Sequence, residues 1–319
     1  MSSRPRIGVS ACLLGQNVRF DGGHRHDDLV ERLGSFVDLV PVCPEMALGL
    51  GAPRESMRLE RDADGLVRLR TRKSRRDLAE PMRELAARWS EHTSDGLDGF
   101  IGQKGSPSCG VERVRVYPGE GRKEGPAERV GRGLFIEALA ARAPLLPIED
   151  EGRLCNPVLR DRFLVRIFTH HRLRALDLVG WRASSVVALH AQLKLLLLAH
   201  SPAGYRALGQ LVAQAGLLPR DQLRERYRAG VMEALAQADE PGRHVNVLEH
   251  MIGYFRDSSS PEERRELAEV IAEYKSGLLP RCAPLTLMRH HVRRAGAPWL
   301  SAQLYFDPYP RELQPSFAV

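Results

Sequence analysis

Three of the five cysteines in this 319-residue chain close apolar runs. Cys12 ends Ile7-Gly8-Val9-Ser10-Ala11, Cys43 ends Val40-Pro41-Val42, and Cys109 closes Gln103-Lys104-Gly105-Ser106-Pro107-Ser108 after Phe100-Ile101. A thiolate is both a soft metal ligand and a nucleophile. The Cys109 stretch has the composition of a tight turn: Pro107 fixes its φ, and Gly105 and Gly110 allow conformations closed to other residues. Separations of 31 and 66 residues match no local pattern such as C-x-x-C. Such cysteines meet only where separate strand ends converge, as at the carboxyl edge of an open α/β sheet. From residues and spacing alone three outcomes stay open. They are three small buried hydrophobes, a zinc site, or an iron–sulfur cube held by three thiolates with one iron left open.

The elements that must position these cysteines follow from periodicity. Short apolar runs predict strands at 5–10, 37–42, 98–103 and 145–149, with helices at 27–35, 77–92 and 133–143 between them. That alternation predicts an α/β N-terminal domain with a mostly parallel, Rossmann-like sheet. Leu66-Val67-Arg68-Leu69-Arg70-Thr71 alternates with period two and suits an edge or accessory strand. The Gly-rich, charged residues 118–132 read as a mobile surface loop. After Asn156-Pro157 the pattern changes to helical periodicity, placing a domain boundary at 157/158 and an all-α C-terminal domain over 158–319. Helices are expected at 158–179, 184–199, 203–215, 220–238, 243–256, 261–275 and 284–295. Pro202 and Pro261 suit first-turn positions, Ser184 and Ser260 suit N-caps, and the tail from Pro298 to Pro315 is expected to pack back as an irregular strap.

Three separated blocks carry a family resemblance. They are Val9-Ser10-Ala11-Cys12-Leu13-Leu14-Gly15 with Arg19-Phe20-Asp21-Gly22, Val42-Cys43-Pro44-Glu45 with Gly49-Leu50 and Pro53-Arg54, and Lys104-Gly105-Ser106-Pro107-Ser108-Cys109-Gly110. In this order they resemble the bacterial thiouracil desulfidase family over about residues 5–150. The resemblance implies a 4Fe-4S cluster held by Cys12, Cys43 and Cys109 with one open iron, and catalytic roles for Glu45 and Ser106. Phe20 stands where that family has a tyrosine, a change expected to spare the packing of the ring. Thr169-His170-His171-Arg172-Leu173, Leu189-His190-Ala191-Gln192-Leu193-Lys194 and Tyr305-Phe306-Asp307-Pro308-Tyr309-Pro310 resemble a helical domain of unassigned role often fused to this one. The fused pair is similar to enzymes that remove sulfur from 4-thiouridine in tRNA, which implies thiolated tRNA as the partner. Desulfidation of free thiouracil, or an RNA-binding protein with a structural or sensing cluster, are the alternatives.

Charge bears on that choice. The net charge is +7, but residues 1–155 hold 25 Lys and Arg against 24 Asp and Glu, whereas 156–319 hold 22 against 16. The excess positive charge therefore belongs to the helical half, as expected of a phosphate-binding surface. Arg172, Arg174, Lys194, Arg206, Arg289, Arg293 and Arg294 are the candidate RNA contacts. The N-terminus lacks a signal-peptide core, the longest apolar run (Leu195–Ala199) is too short for a bilayer, and the scattered cysteines suit a reducing compartment. A soluble, cytoplasmic protein with no membrane partner is expected.

Overall fold

The computed structural model describes residues 4–93, 96–121, 125–238 and 240–314. The chain divides into two compact units, 1–163 and 164–319, and the division falls within one helix, Pro157–Ala175. An α/β unit followed by a helical one is the expected fold class.

In the first unit, β1 (Arg6–Ser10) runs into a short 3-10 turn (Ala11–Leu14), then α1 (Asp28–Leu33), β2 (Asp38–Val42) and α2 (Pro44–Ala47). β3 (Met57–Arg61), β4 (Val67–Thr71), α3 (Ala79–Thr93) and β5 (Gly99–Gly102) follow. The unit continues through β6 (Val114–Pro118), β7 (Glu128–Gly131), α4 (Leu134–Arg142), β8 (Ile148–Asp150) and α5 (Glu151–Leu154). The strands make two four-stranded sheets, ordered β2-β1-β5-β8 and β4-β3-β6-β7. The first is wholly parallel, with Ile7 opposite both Leu39 and Gly99, and Phe100 opposite Ile148.

The second sheet is mixed and went unforeseen as a sheet. The period-two stretch does form an edge strand, β4. Residues 118–132 are corrected in part: Glu128–Gly131 pair with β6 as a fourth strand, and 122–124 lie outside the described residues. Both sheets close one apolar core, where Met82 of α3 and Phe135 of α4 meet Phe100, Leu59 and Leu69. Trp89, Phe100 and Phe135 form an aromatic cluster there, with ring centroids 5.5–6.0 Å apart in tilted and edge-on pairs.

The second unit takes up α6 (Pro157–Ala175) and continues with α7 (Ala183–His200), α8 (Pro202–Ala213), α9 (Arg220–Ala236), α10 (Pro241–Ile252), α11 (Pro261–Lys275), α12 (Cys282–Ala295) and α13 (Pro298–Ser301). α7 is long and apolar enough to cross a membrane by length and composition, but it packs against α8, α9 and α10 as a core helix. Pro202 and Pro261 stand in first turns, and Ser260 closes a capping box with Glu263. Ser184 is not a cap: α7 begins one residue earlier, with Arg182 at the N-cap position. The tail does pack back, with Gln303 accepting from the Leu195 amide and Arg172 donating to the Pro308 carbonyl at 2.7 Å.

Candidate active site

The sheet order puts β2, β1 and β5 side by side, and one cysteine follows the carboxyl end of each. Cys12 sits in the 3-10 turn after β1, closed by Gly15 in the left-handed conformation (φ 80°) and by the Arg25 amide bonding the Cys12 carbonyl. Cys43 follows β2 at the N-cap of α2, whose first-turn proline starts the helix at once. Cys109 ends the turn after β5. In that turn the Ser106 hydroxyl accepts from the amides of Ser108 (3.2 Å) and Cys109 (3.0 Å), and the Gly110 amide reaches the Ser106 carbonyl (2.9 Å).

Close backbone packing holds that turn. A Cβ on Gly102 would lie 2.1 Å from the Cys109 carbonyl oxygen, and one on Gly133 would lie 2.4 Å from the Ser108 carbonyl group. The Ser10 hydroxyl, one strand over, accepts from the Gln103 amide (3.1 Å) and hydrogen-bonds Cys109.

All three cysteines, Glu45 and Ser106 line one cavity of about 420 Å³. Glu45, in the first turn of α2, lies 3.3 Å from the Cys43 sulfur and 3.8 Å from the Arg54 guanidinium. Arg54 is itself anchored to the carbonyls of Val18 and Gly51 at 2.8 Å each. Burial first, and the Glu45 charge second, push the Cys12 thiol up to about 11 and the Cys43 thiol up to about 12. The same two causes push Cys109 well above the ordinary thiol range. Three thiols so placed stay protonated at neutral pH until a cation displaces their protons.

Glu45 is the one carboxylate lining the cavity, against seven cationic side chains. Lys104 is exposed there, and its amide donates to Glu151 (2.6 Å) at the end of β8. Glu151 also faces Arg25 at 3.4 Å. Sequence reading missed Glu151 and the whole wall that the second sheet supplies through Arg58, Arg72, Arg115 and Tyr117. Phe20 is 45% exposed at the rim, with the Arg19 guanidinium over its ring. Cys155 and Cys282 are exposed and outside the cavity.

The RNA candidates fare unevenly. Arg174 is buried, Arg172 is committed to the Pro308 carbonyl, and Arg289 to the Phe306 carbonyl and Asp307. Arg172 and Arg289 are corrected to structural roles, because their guanidinium groups hold carbonyls within the helical unit, and the burial of Arg174 withdraws it from a phosphate-facing surface. Arg294 is engaged by Glu263 and Lys194 lies over the Trp299 ring, while Arg206 and Arg293 are exposed.

Fold and site together define an α/β protein with a cysteine-lined candidate metal centre, extended by a helical domain. Residues 7–151 match the family model described as 2-thiouracil desulfurase, and residues 194–310 match one described as a protein of unknown function, DUF1722. The Escherichia coli (strain K12) protein described as uncharacterized protein YbgA is 38% identical over 152 residues, spanning 47% of this chain and 90% of that protein. A solved structure, the 4Fe-4S-dependent thiouracil desulfidase TudS, shares 30% sequence identity over 48% of this chain and 94% of its own, with a TM-score of 0.38. The chain joins a domain of the 2-thiouracil desulfurase family to a DUF1722 domain, and it belongs to the same family as YbgA.

Proposed function

We propose that the first unit is an iron–sulfur-dependent desulfidase that converts the C=S of a thiouracil to C=O, with Cys12, Cys43 and Cys109 as the ligands of a 4Fe-4S cluster. The observation that carries this reading is the convergence of three cysteine thiols, two buried and one half-buried, and of Glu45 on one cavity at the carboxyl edge of the parallel sheet. The donor set fits the cluster: three soft ligands on one cavity leave one iron without a protein ligand. It is also the cofactor named for TudS, with which the chain shares 30% sequence identity.

When bound, such a cluster supplies a soft Lewis acid for a thione sulfur. The chain's own residues do the rest. Glu45 takes a proton from the water that adds to the thione carbon. Ser106, its oxygen already accepting two amides, keeps its O–H to donate to the substrate. The water's oxygen becomes the carbonyl oxygen and sulfur leaves as sulfide, so no electrons are supplied or removed.

The match over 7–151 supports free thiouracil as substrate better than it supports tRNA. One observation favours the second reading, 4-thiouridine in tRNA: the excess of positive charge in residues 156–319, with Arg206 and Arg293 exposed to present it. Anaerobic purification with iron and sulfide counting, then chromatography of 2- and 4-thiouracil and mass spectrometry of tRNA nucleosides, tests both. The free-base reading expects about four irons per chain and uracil as product. Loss of 4-thiouridine from tRNA with free thiouracil untouched favours the second, and a colourless zinc protein overturns both.

A further inference from the structure

The second sheet carries two unlike faces. On β3, Leu59 pairs with Leu69 and Val116 on the core side. The alternate residues point the other way: Arg58 pairs with Arg70, and Glu60 with Arg68 and Tyr117. On this charged face Glu60 is fully buried, yet it is a carboxylate. It is satisfied by Arg58 through Nε (2.7 Å) and by Arg75, whose two terminal nitrogens span both carboxylate oxygens at 2.6 and 2.7 Å. Arg70 adds a longer contact at 3.5 Å. Burial would push the Glu60 carboxyl up, but the bonds from Arg75 and Arg58 prevail and it lies below the ordinary range. Arg75 makes its pair from the left-handed region (φ 58°), a conformation a non-glycine residue holds only when its surroundings enforce it.

The clamp has a consequence at the cavity. With Nε bound to Glu60, the Arg58 guanidinium lies over the Tyr117 ring, 4.8 Å from its centroid, and both residues line the cavity that holds the cysteines. Its two terminal nitrogens have no hydrogen-bond partner among the described residues. A flat guanidinium fixed on an aromatic ring offers a planar stacking surface and, at its edge, donors for a ring carbonyl. A pyrimidine asks for both. An ordinary surface arginine would need neither a fully buried carboxylate behind it nor a strained partner.

Taking the desulfidase reading as its base, we propose that Arg58 and Tyr117 form the wall that recognises the pyrimidine ring, and that Glu60 is the positioning residue that holds this wall. Neither acts on the thione carbon, so the wall governs how tightly the ring is held and leaves the chemical step to Glu45 and the cysteine-bound centre.

The test uses the full chain loaded with its cluster. Kinetics on 4-thiouracil are run beside calorimetric binding of uracil, which has no sulfur to react. Tyr117→Ala should raise KM and the uracil Kd by about 10-fold with kcat within about 2-fold, whereas Tyr117→Phe, which keeps the ring, should stay near wild type. Arg58→Lys, a point charge without the planar fork, should move KM and Kd in the same direction. Glu60→Gln should do so too, and Arg75→Ala reaches the same clamp from the exposed side if Glu60→Gln folds poorly. Unchanged KM and Kd in Tyr117→Ala, or a fall in kcat alone, would overturn the wall. A wild-type protein that binds no uracil overturns it as well. An inactive wild type whose uracil binding weakens in Tyr117→Ala refutes the desulfidase reading and leaves the wall standing.

Discussion

A cysteine wholly or largely withdrawn from water near a carboxylate is a poor acid, and this chain gathers three of them around Glu45. The thiolates needed for ligation form only when a metal takes the place of three protons, so loading is coupled to proton release. Cys12→Ala, Cys43→Ala and Cys109→Ala should each abolish iron retention, while Cys155→Ala and Cys282→Ala keep the iron count of the wild type. A strict need for Cys155 would contradict a three-thiolate site. Glu45→Gln should keep the iron and lose turnover by on the order of 10²–10⁴-fold, the usual weight of a positioned base, as read from kcat on 4-thiouracil. That Cys12, Cys43 and Cys109 follow strand ends was legible in the sequence, because turn-forming residues and a cysteine stand together after an apolar run, whereas Glu45 came only with the family resemblance. Ser106, also named through the resemblance, was not legible as the acceptor that folds the Cys109 turn, since a sequence does not show which lone pairs are already taken. Arg172 and Arg289 were misread for a related reason. A buried guanidinium that satisfies carbonyls looks, in sequence, like one that awaits phosphate.

The strand ends of the first sheet were legible because short apolar runs between helices admit few alternatives. The second sheet was not, because Met57–Arg61 is mostly charged, Val114–Pro118 ends in a proline, and both are short and become strands through pairing distant in sequence. At this scale the glycines beneath the cysteine turn make a sharp prediction. Gly102→Ala would drive a methyl into the Cys109 carbonyl, so it should cost cluster content even though no ligand is touched, as measured by iron per folded chain. Gly105→Ala meets nothing within 4 Å and is opposed only by its left-handed φ of 73°, so it should be the milder change.

In the helical unit the capping box also predicts a pH effect. Arg294 first, and the Ser260 amide second, hold the Glu263 carboxyl down at about 2. Its folded pKa lies below the unfolded one, so its stabilisation is complete above about pH 4.5 and is lost as pH falls toward 2. Melting curves of Glu263→Gln should therefore differ from wild type at neutral pH and converge with it in acid. Ser260 was readable as a cap, being followed by Pro261 and, three residues on, by Glu263. Ser184 had no such partner and proved to be the second residue of α7, inside its first turn.

For the molecule as a whole, the change of pattern near residue 157 was readable because strand and helix periodicities differ over tens of residues. The structural division at 163/164 lies six residues further on, inside α6, since a continuous helix gives no local signal of where one unit's contacts end. Charge adds a prediction here. If tRNA is a substrate, Arg206→Glu and Arg293→Glu should raise KM for thiolated tRNA, flatten its salt dependence, and leave turnover of free thiouracil unchanged. Indifference of both substrates to these reversals would remove the helical unit from substrate capture. Three of the buried histidines of that unit are hydrogen-bonded within it: His170 with Arg228, His244 with Tyr305 and His291 with Ser259.

The tight backbone seat under the Cys109 turn has one further consequence. Many small metal domains fold only around their metal, so that losing the metal means losing the structure. Here Gly102 and Gly133 press against the turn through protein atoms alone, and Ser10 and Ser106 fix its amides without reference to any cofactor. These contacts owe nothing to a cofactor, so a chain stripped of iron is expected to keep the melting temperature of the loaded protein to within a few degrees. Loss of the cofactor is then expected to be reversible, with iron, sulfide and reductant restoring the wild-type iron count to the stripped chain without refolding.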